Sequence, residues 1–225
     1  HRDLHSFPTR RSSDLPRLER LASSGVTVFL VPASQVGLFY ESLEEDLDSA
    51  LMDPGRPLEE RCECLQSVVT HAAESLLKQR PDPARVARVG RIIESAVRMA
   101  GEERQAIQTL RRLTQGSANL AEHSVNTALY ALGVGFVLHR TDQRAISRLA
   151  LAAVLHDVGR IPDTPGEPDL PQGTPLAGEG GAVPDFTHTR RGATMLAELD
   201  LPEEVVKAAE QHHERLDGSG APEGL

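Results

Sequence analysis

Residues 149–162 read LALAAVLHDVGRIP, and the fold follows from where that stretch can be placed. Its first seven residues are apolar on every side of a helix, so the helix belongs inside a bundle rather than on its surface. It ends in His156-Asp157, with Gly159 positioned to close it as the residue after the cap. Two ionisable groups at the end of a buried helix need partners, because burying them alone is costly. A His-Asp hydrogen bond capping the helix would satisfy them, and so would a binding site. Taken alone, the pair supports both readings equally.

The other histidines shift that balance. His123 opens a helix as Glu122-His123-Ser124, and His188 shares a face with Gly192, Met195 and Leu199. His212-His213 follow Val205, Val206, Ala208 and Ala209, so both can point toward the apolar side. Any one of them alone reads as a core or boundary histidine. Together they form the pattern H…HD…H…HH on separate helices, each at an apolar-facing position. Neutral imidazoles and a carboxylate on facing helices are what a bundle uses to hold metal ions. Five His and one Asp exceed the needs of one ion, so more than one is expected. His71 and His139 read as surface or boundary residues, and His1 and His5 receive no role.

Helical spacing extends to both sides of the central stretch. Residues 35–52 place Leu38, Leu43, Leu47 and Leu51 at helical intervals. Pro57 suits the first position of a helix to about residue 79, and Asp82-Pro83 caps and opens another to about 100. Further helices are expected over 102–113 and 117–139, from a Thr141 cap to 158, over 185–199 and over 202–214. The Pro/Gly/acidic stretch at 162–184 reads as a long loop. The β-branched run VTVFLV at 26–31 is the one credible strand. Residues 1–15 share no pattern with the rest and read as a translated sequencing-adaptor scar or a disordered tail. The expected organisation is a mixed helix/strand region over 16–105 and an all-α domain over 106–225.

Composition excludes several classes. The 225 residues carry 24 basic and 33 acidic side chains, a net charge of −9, which argues against a nucleic-acid polymer as partner. Seven aromatic residues and no Trp make a base-stacking platform unsuitable. No apolar run reaches the roughly 20 residues of a membrane span. Cys62 and Cys64 fall on opposite sides of a helix, poorly placed for a disulfide or a zinc site. A cytoplasmic location is expected.

The ordered motifs resemble those of the HD-superfamily phosphohydrolases, and within them the HD-GYP branch with its HHExxDGxGYP signature. The matching stretches are His123-Ser124, HDVGRIP at 156–162, His188-Thr-Arg-Arg-Gly192 and HHERLDGSGAP at 212–222. The resemblance implies an HD-type helical bundle, preceded by a small mixed helix/strand regulatory region. It implies a phosphodiesterase acting on cyclic di-GMP in bacterial signalling, with two divalent transition metals, iron or manganese. Two adjacent ions can polarise a phosphodiester and lower the pKa of a bridging water, whose hydroxide attacks phosphorus in line. The implied ligands are His123, His156, Asp157, His188, His212 and His213, with Asp157 bridging. Arg160 takes the place of a family lysine that contacts phosphate or aids the leaving group. It keeps the charge but is a very poor proton donor. Arg215, Asp217, Gly218 and Gly220 would line the substrate side, the glycines letting the loop backbone approach it.

Departures from the family carry their own expectations. Ala221 replaces the signature tyrosine, and Asn119, one turn before His123, is no carboxylate, which favours two ions over three. The family's next helix carries a further Asp ligand, so the resemblance implies a domain incomplete at its C-terminal end. Such a chain would bind metal weakly and expose an apolar face that aggregates or forms a homodimer. The alternatives are a non-enzymatic HD-GYP module that binds signalling partners, and an HD phosphohydrolase for another nucleotide.

Overall fold

The computed structural model describes residues 20, 23–25, 30–114, 116, 119–138, 141–162 and 186–224. The tail at 1–15, residues 26–29 of the expected strand, His139 and the loop at 163–184 lie outside them. Among the described residues there is no strand, and Leu30 and Val31 take irregular backbone. Contacts divide the chain into one unit up to Asp46 and another over Leu47–Leu225. In the first, the 3-10 turn Ala33–Gln35 runs into α1 (Val36–Glu45), on which Phe39 and Tyr40 meet edge to face at 5.5 Å. The helix expected over 35–52 therefore stops at Glu45, and α2 (Leu47–Met52) belongs to the second unit.

That second unit is an all-helical bundle. α3 (Leu58–Leu77) and α4 (Pro83–Glu102) pack on each other and on the helices after them. Pro57 stands at the N-cap of α3, one residue before the position expected. Asp82 caps α4, its Oδ1 accepting from the backbone N–H of Ala84 at 3.0 Å and of Arg85 at 3.1 Å. α4 turns Val86, Val89, Ile92, Ile93, Val97 and Met99 inward. α5 (Gln105–Leu113) leads to α6 (Leu120–Leu138), whose first turn is closed by Asn119 Oδ1 accepting from Glu122 N–H at 2.9 Å. The border expected near residue 105 lies inside this unit, because α3 packs on α5 and α6 and α4 packs on α7.

α7 (Gln143–Leu155) is the apolar helix of the opening stretch. It packs on α4, α6 and α9, and none of residues 149–155 is exposed. Its cap is Asp142 rather than Thr141: the carboxylate accepts from Ala145 N–H at 3.0 Å. The carboxylate there outcompetes the neighbouring hydroxyl as acceptor. A 3-10 turn, Val158–Arg160, follows directly. α8 (Thr187–Ala197) packs on that turn and on α9 (Glu203–Gln211). Chain order thus brings the C-terminal ends of α7 and α9 and the first turns of α6 and α8 into one place.

The two cysteines are not paired. Cys62 is fully buried under α5, its Sγ 3.9 Å from Ala106 O, and burial pushes its thiol pKa up to about 11. Burial also raises Cys64. A thiol held that high offers almost no thiolate at neutral pH. Alkylation of Cys62 by iodoacetamide at pH 8 should therefore be at least about 100-fold slower in the folded chain than in urea. Mass spectrometry of the modified peptide checks this, and equal rates in the two states would show that α3 and α5 do not seal the thiol.

Candidate metal centre

Two of the histidines are oriented by helix ends. The last carbonyls of a helix have no partner within it. His156 is the C-cap of α7 and His212 the C-cap of α9. Their Nδ1 atoms lie 2.7 Å from Ala153 O and 3.0 Å from Ala209 O, each the carbonyl three residues back. A carbonyl only accepts, so Nδ1 carries the hydrogen and the Nε2 lone pair faces the cluster. This second contact fixes both tautomer and ring direction, as for metal-binding histidines generally.

Asp157 lies between two groups of imidazoles. On one side its Oδ2 is 3.5 Å from His156 Nε2 and 3.8 Å from His123 Nε2, and those two nitrogens are 3.3 Å apart. On the other, Oδ1 is 3.2 Å from His188 Nε2 and 3.4 Å from His212 Nε2. His213 Nε2 completes that side, 3.2 Å from His188 Nε2. Within each set, His123–His156–Asp157 and Asp157–His188–His212–His213, all ligand atoms lie within 4.8 Å of one another. The six expected ligands are therefore brought together, with Asp157 common to both sets.

The chemistry of this donor set fits divalent cations. Burial pushes the pKa of both His156 and His213 down to about 4, so both are neutral at pH 7 with lone pairs free. Burial pushes Asp157 the other way, up. Contacts from the His188 and His212 imidazoles, helped by the Arg160 charge, outweigh it and hold the carboxyl well below the usual carboxylate range. Asp157 Oδ1 is buried, yet no donor is aligned on it as a hydrogen bond. Lone pairs that converge on one another at these distances want a cation among them.

The turn after α7 is closed differently from expectation. Gly159 is not a left-handed residue after a cap; it sits in the 3-10 turn. Its glycine identity is needed because α8 presses on it. A Cβ there would lie 1.9 Å from His188 O and 2.6 Å from Gly192 N. Arg191 adds a bond across the same contact, Nη1 donating to Gly159 O at 3.1 Å. This crossing is what delivers His188, 2% exposed, to Asp157.

Arg160 also points inward and is buried. Its Nε is 2.8 Å from Asp157 Oδ1 and its Nη2 3.1 Å from His188 Nε2. Arg215, Asp217, Gly218 and Gly220 instead build the loop after α9. Asp217 Oδ1 accepts from Ser219 N–H at 2.9 Å and Oγ–H at 2.6 Å, and Gly218 takes the left-handed φ of 73°. The close approach that Gly220 permits is to the chain's own backbone, since a Cβ would meet Arg215 N at 2.3 Å. One contributor went unassigned in the sequence. Glu214 Oε1 accepts from the backbone N–H of Glu223 at 2.7 Å and Gly224 at 3.3 Å and so ties that loop down. Its place directly after His212-His213 was the available signal.

Residues 120–224 match the HD domain family. This part of the chain is an HD domain. HD domains bind divalent metals, and the histidine-aspartate set above is of a kind that could hold them. In structure the chain is similar to Bd1817, a HDG"Y"P protein from Bdellovibrio bacteriovorus, with a TM-score of 0.69 at 20% identity. That likeness covers 86% of this chain and 63% of the other, so this chain spans less than two thirds of that protein's length. At that identity it speaks for the fold of the HD domain and the helices before it. No curated protein matches the sequence. No helix among the described residues is long and apolar enough to cross a membrane.

The lowered His156 pKa has a measurable consequence for the metal-stripped chain. The unfolded chain takes up a proton below about pH 6.5, whereas folded His156 resists it until about pH 4. Stability is therefore full above pH 6.5 and falls as pH drops toward 4, by about 3 kcal/mol from this one group. Urea melts of chelator-treated protein between pH 7.5 and 4 check this. A flat profile would mean that the imidazole stays open to water in solution.

Proposed function

We propose that this HD domain is a binuclear phosphodiesterase that hydrolyses cyclic di-GMP in bacterial second-messenger signalling. The observation that carries the proposal is the placing of Asp157, whose two oxygens each serve a separate group of imidazoles. His123, His156 and Asp157 Oδ2 would hold one ion; Asp157 Oδ1, His188, His212 and His213 would hold the other. Imidazole and carboxylate donors suit iron or manganese. Bound ions would supply Lewis acidity toward a phosphodiester oxygen and lower the pKa of a water.

The chain's own residues do the rest. His156 and His212 keep their Nε2 atoms directed by the capping bonds of their helices. Asp157 stays ionised at neutral pH and so always presents both oxygens. Arg160 is the cationic side chain nearest the ligands and can clamp a phosphate bidentately. The leaving 3′ oxygen must take its proton from water, because a guanidinium does not give one up. A cytoplasmic protein working with signalling partners, itself or in a homodimer, completes the reading.

The test is a panel of cyclic and linear nucleotides given to manganese- and iron-loaded protein. Hydrolysis of cyclic di-GMP above the other substrates supports the proposal. Preference for another nucleotide would transfer the site to a different substrate class. Metal bound without turnover on any of them would instead support a signalling module, a reading that Ala221 in the place of the signature tyrosine favours.

A further inference from the structure

Arg160 contacts two atoms that the second ion needs. Its guanidinium lies 2.8 Å from Asp157 Oδ1 and 3.1 Å from His188 Nε2, and both belong to the set Asp157–His188–His212–His213. A neutral imidazole nitrogen has one lone pair, so His188 Nε2 cannot accept from a guanidinium and bind an ion at once. Nor can the arginine step aside by losing its charge, which it keeps at every working pH. The opposite side of Asp157 differs: the contacts of Oδ2 are with the imidazoles of His123 and His156. One carboxylate therefore faces imidazoles alone on one oxygen, and imidazoles together with a guanidinium on the other. Arg160 is only 5% exposed, so its position is set by packing as well as by charge.

We propose that Arg160 is a built-in competitor for the second ion, so that the two sites fill in order. The His123–His156–Asp157 site takes its ion first. The second ion enters only by displacing the guanidinium from Asp157 Oδ1 and His188 Nε2. The displaced guanidinium, still tethered to the turn Val158–Arg160, is then free to meet an anion beside the site. Filling the second site and releasing an anion-binding group become one event. This rests on the metal-binding reading above and adds to it an order and a cause.

The experiment is a manganese titration of chelator-stripped protein, followed by calorimetry, by the electron paramagnetic resonance signal of free ion and by metal analysis. For the wild-type chain we expect two ions of unequal affinity, the second bound at least about 10-fold more weakly than the first. In Arg160→Gln the second affinity should rise to within about 3-fold of the first, and by far more than the first does, because only the second loses a competitor for its ligand atoms. Arg160→Met keeps an apolar stem in the packed position and is read the same way where the glutamine variant does not fold. Two equal sites in the wild-type chain, or an unchanged second affinity in a folded variant, overturn the competitor role and leave the metal-binding reading standing. No ion bound by either protein overturns both.

Discussion

Replacing Asp157 by Ala empties both metal sites and lowers phosphodiester hydrolysis by at least about 1,000-fold. The expectation follows from the sharing of one carboxylate. Removing His123 or His213 takes one donor from one set, but removing Asp157 takes a donor from each and the only anionic charge from both. The same substitution should also destabilise the metal-free chain. Arg160 is buried against Asp157 at 2.8 Å, and deleting the anion leaves a buried guanidinium without its counter-charge. Breaking a buried pair in this way costs about 3–5 kcal/mol. A cluster of like-charged ligands would show the opposite sign, gaining stability when one is removed. Metal analysis together with urea melts of the stripped protein separates the two cases. Stoichiometric metal in the Asp157→Ala chain would remove the basis for a shared ligand.

Gly159→Ala should be the most damaging single methyl group in the HD domain. The added carbon would stand 1.9 Å from His188 O and 2.6 Å from Gly192 N, and both obstacles are backbone. No rotamer change relieves that overlap, so α8 must lift off the turn Val158–Arg160. Lifting α8 withdraws His188 from Asp157 and loosens the Arg191 contact to Gly159 O. A loss of roughly 3 kcal/mol or more is expected, with the second metal set weakened more than the first. Gly192→Ala is the control from the other side of the same crossing. There the carbon would lie 3.2 Å from Gly159 N and 3.3 Å from Val158 Cγ1, which small shifts can relieve. That variant should cost about 1 kcal/mol. Thermal melts and metal stoichiometry of the two variants check the ordering. A Gly159→Ala chain that melts with the wild type would show that α8 does not bear on the turn as described.

Much of the site was legible because its residues follow helical geometry. The apolar run at 149–155 had to be interior, and whatever ended it had to lie in the core. The spacing of His188 to Gly192 and Met195, and of His212 to Val205 and Ala209, told which way those imidazoles face. All six expected ligands do meet. What was not legible depends on chain segments far apart in sequence. The need for glycine at 159 comes from α8, whose approach no local spacing encodes. Arg160 reads by resemblance as a phosphate contact, and its pairing with the buried carboxylate three residues before it shows only once the turn after α7 is folded. The loop residues Asp217, Gly218 and Gly220 look like substrate contacts by motif, but their first use is to fold the loop on itself. Asp142 over Thr141 as a cap, and the stop of α1 at Glu45, turn on small local competitions that periodicity does not resolve.

The capping bonds of His156 and His212 tie ligand direction to helix length. Each imidazole is steered by a carbonyl of the last turn of its own helix, at Ala153 and Ala209. Unwinding one turn of α7 or α9 removes both the carbonyl and the ring it holds, so shortening either helix costs the site a ligand. An ion bound there acts as a rivet on two helix ends, and fraying, normally the least cooperative motion of a helix, becomes coupled across the bundle. The HD domain would then hold or release its ions in one step with the winding of α7 and α9, rather than ligand by ligand.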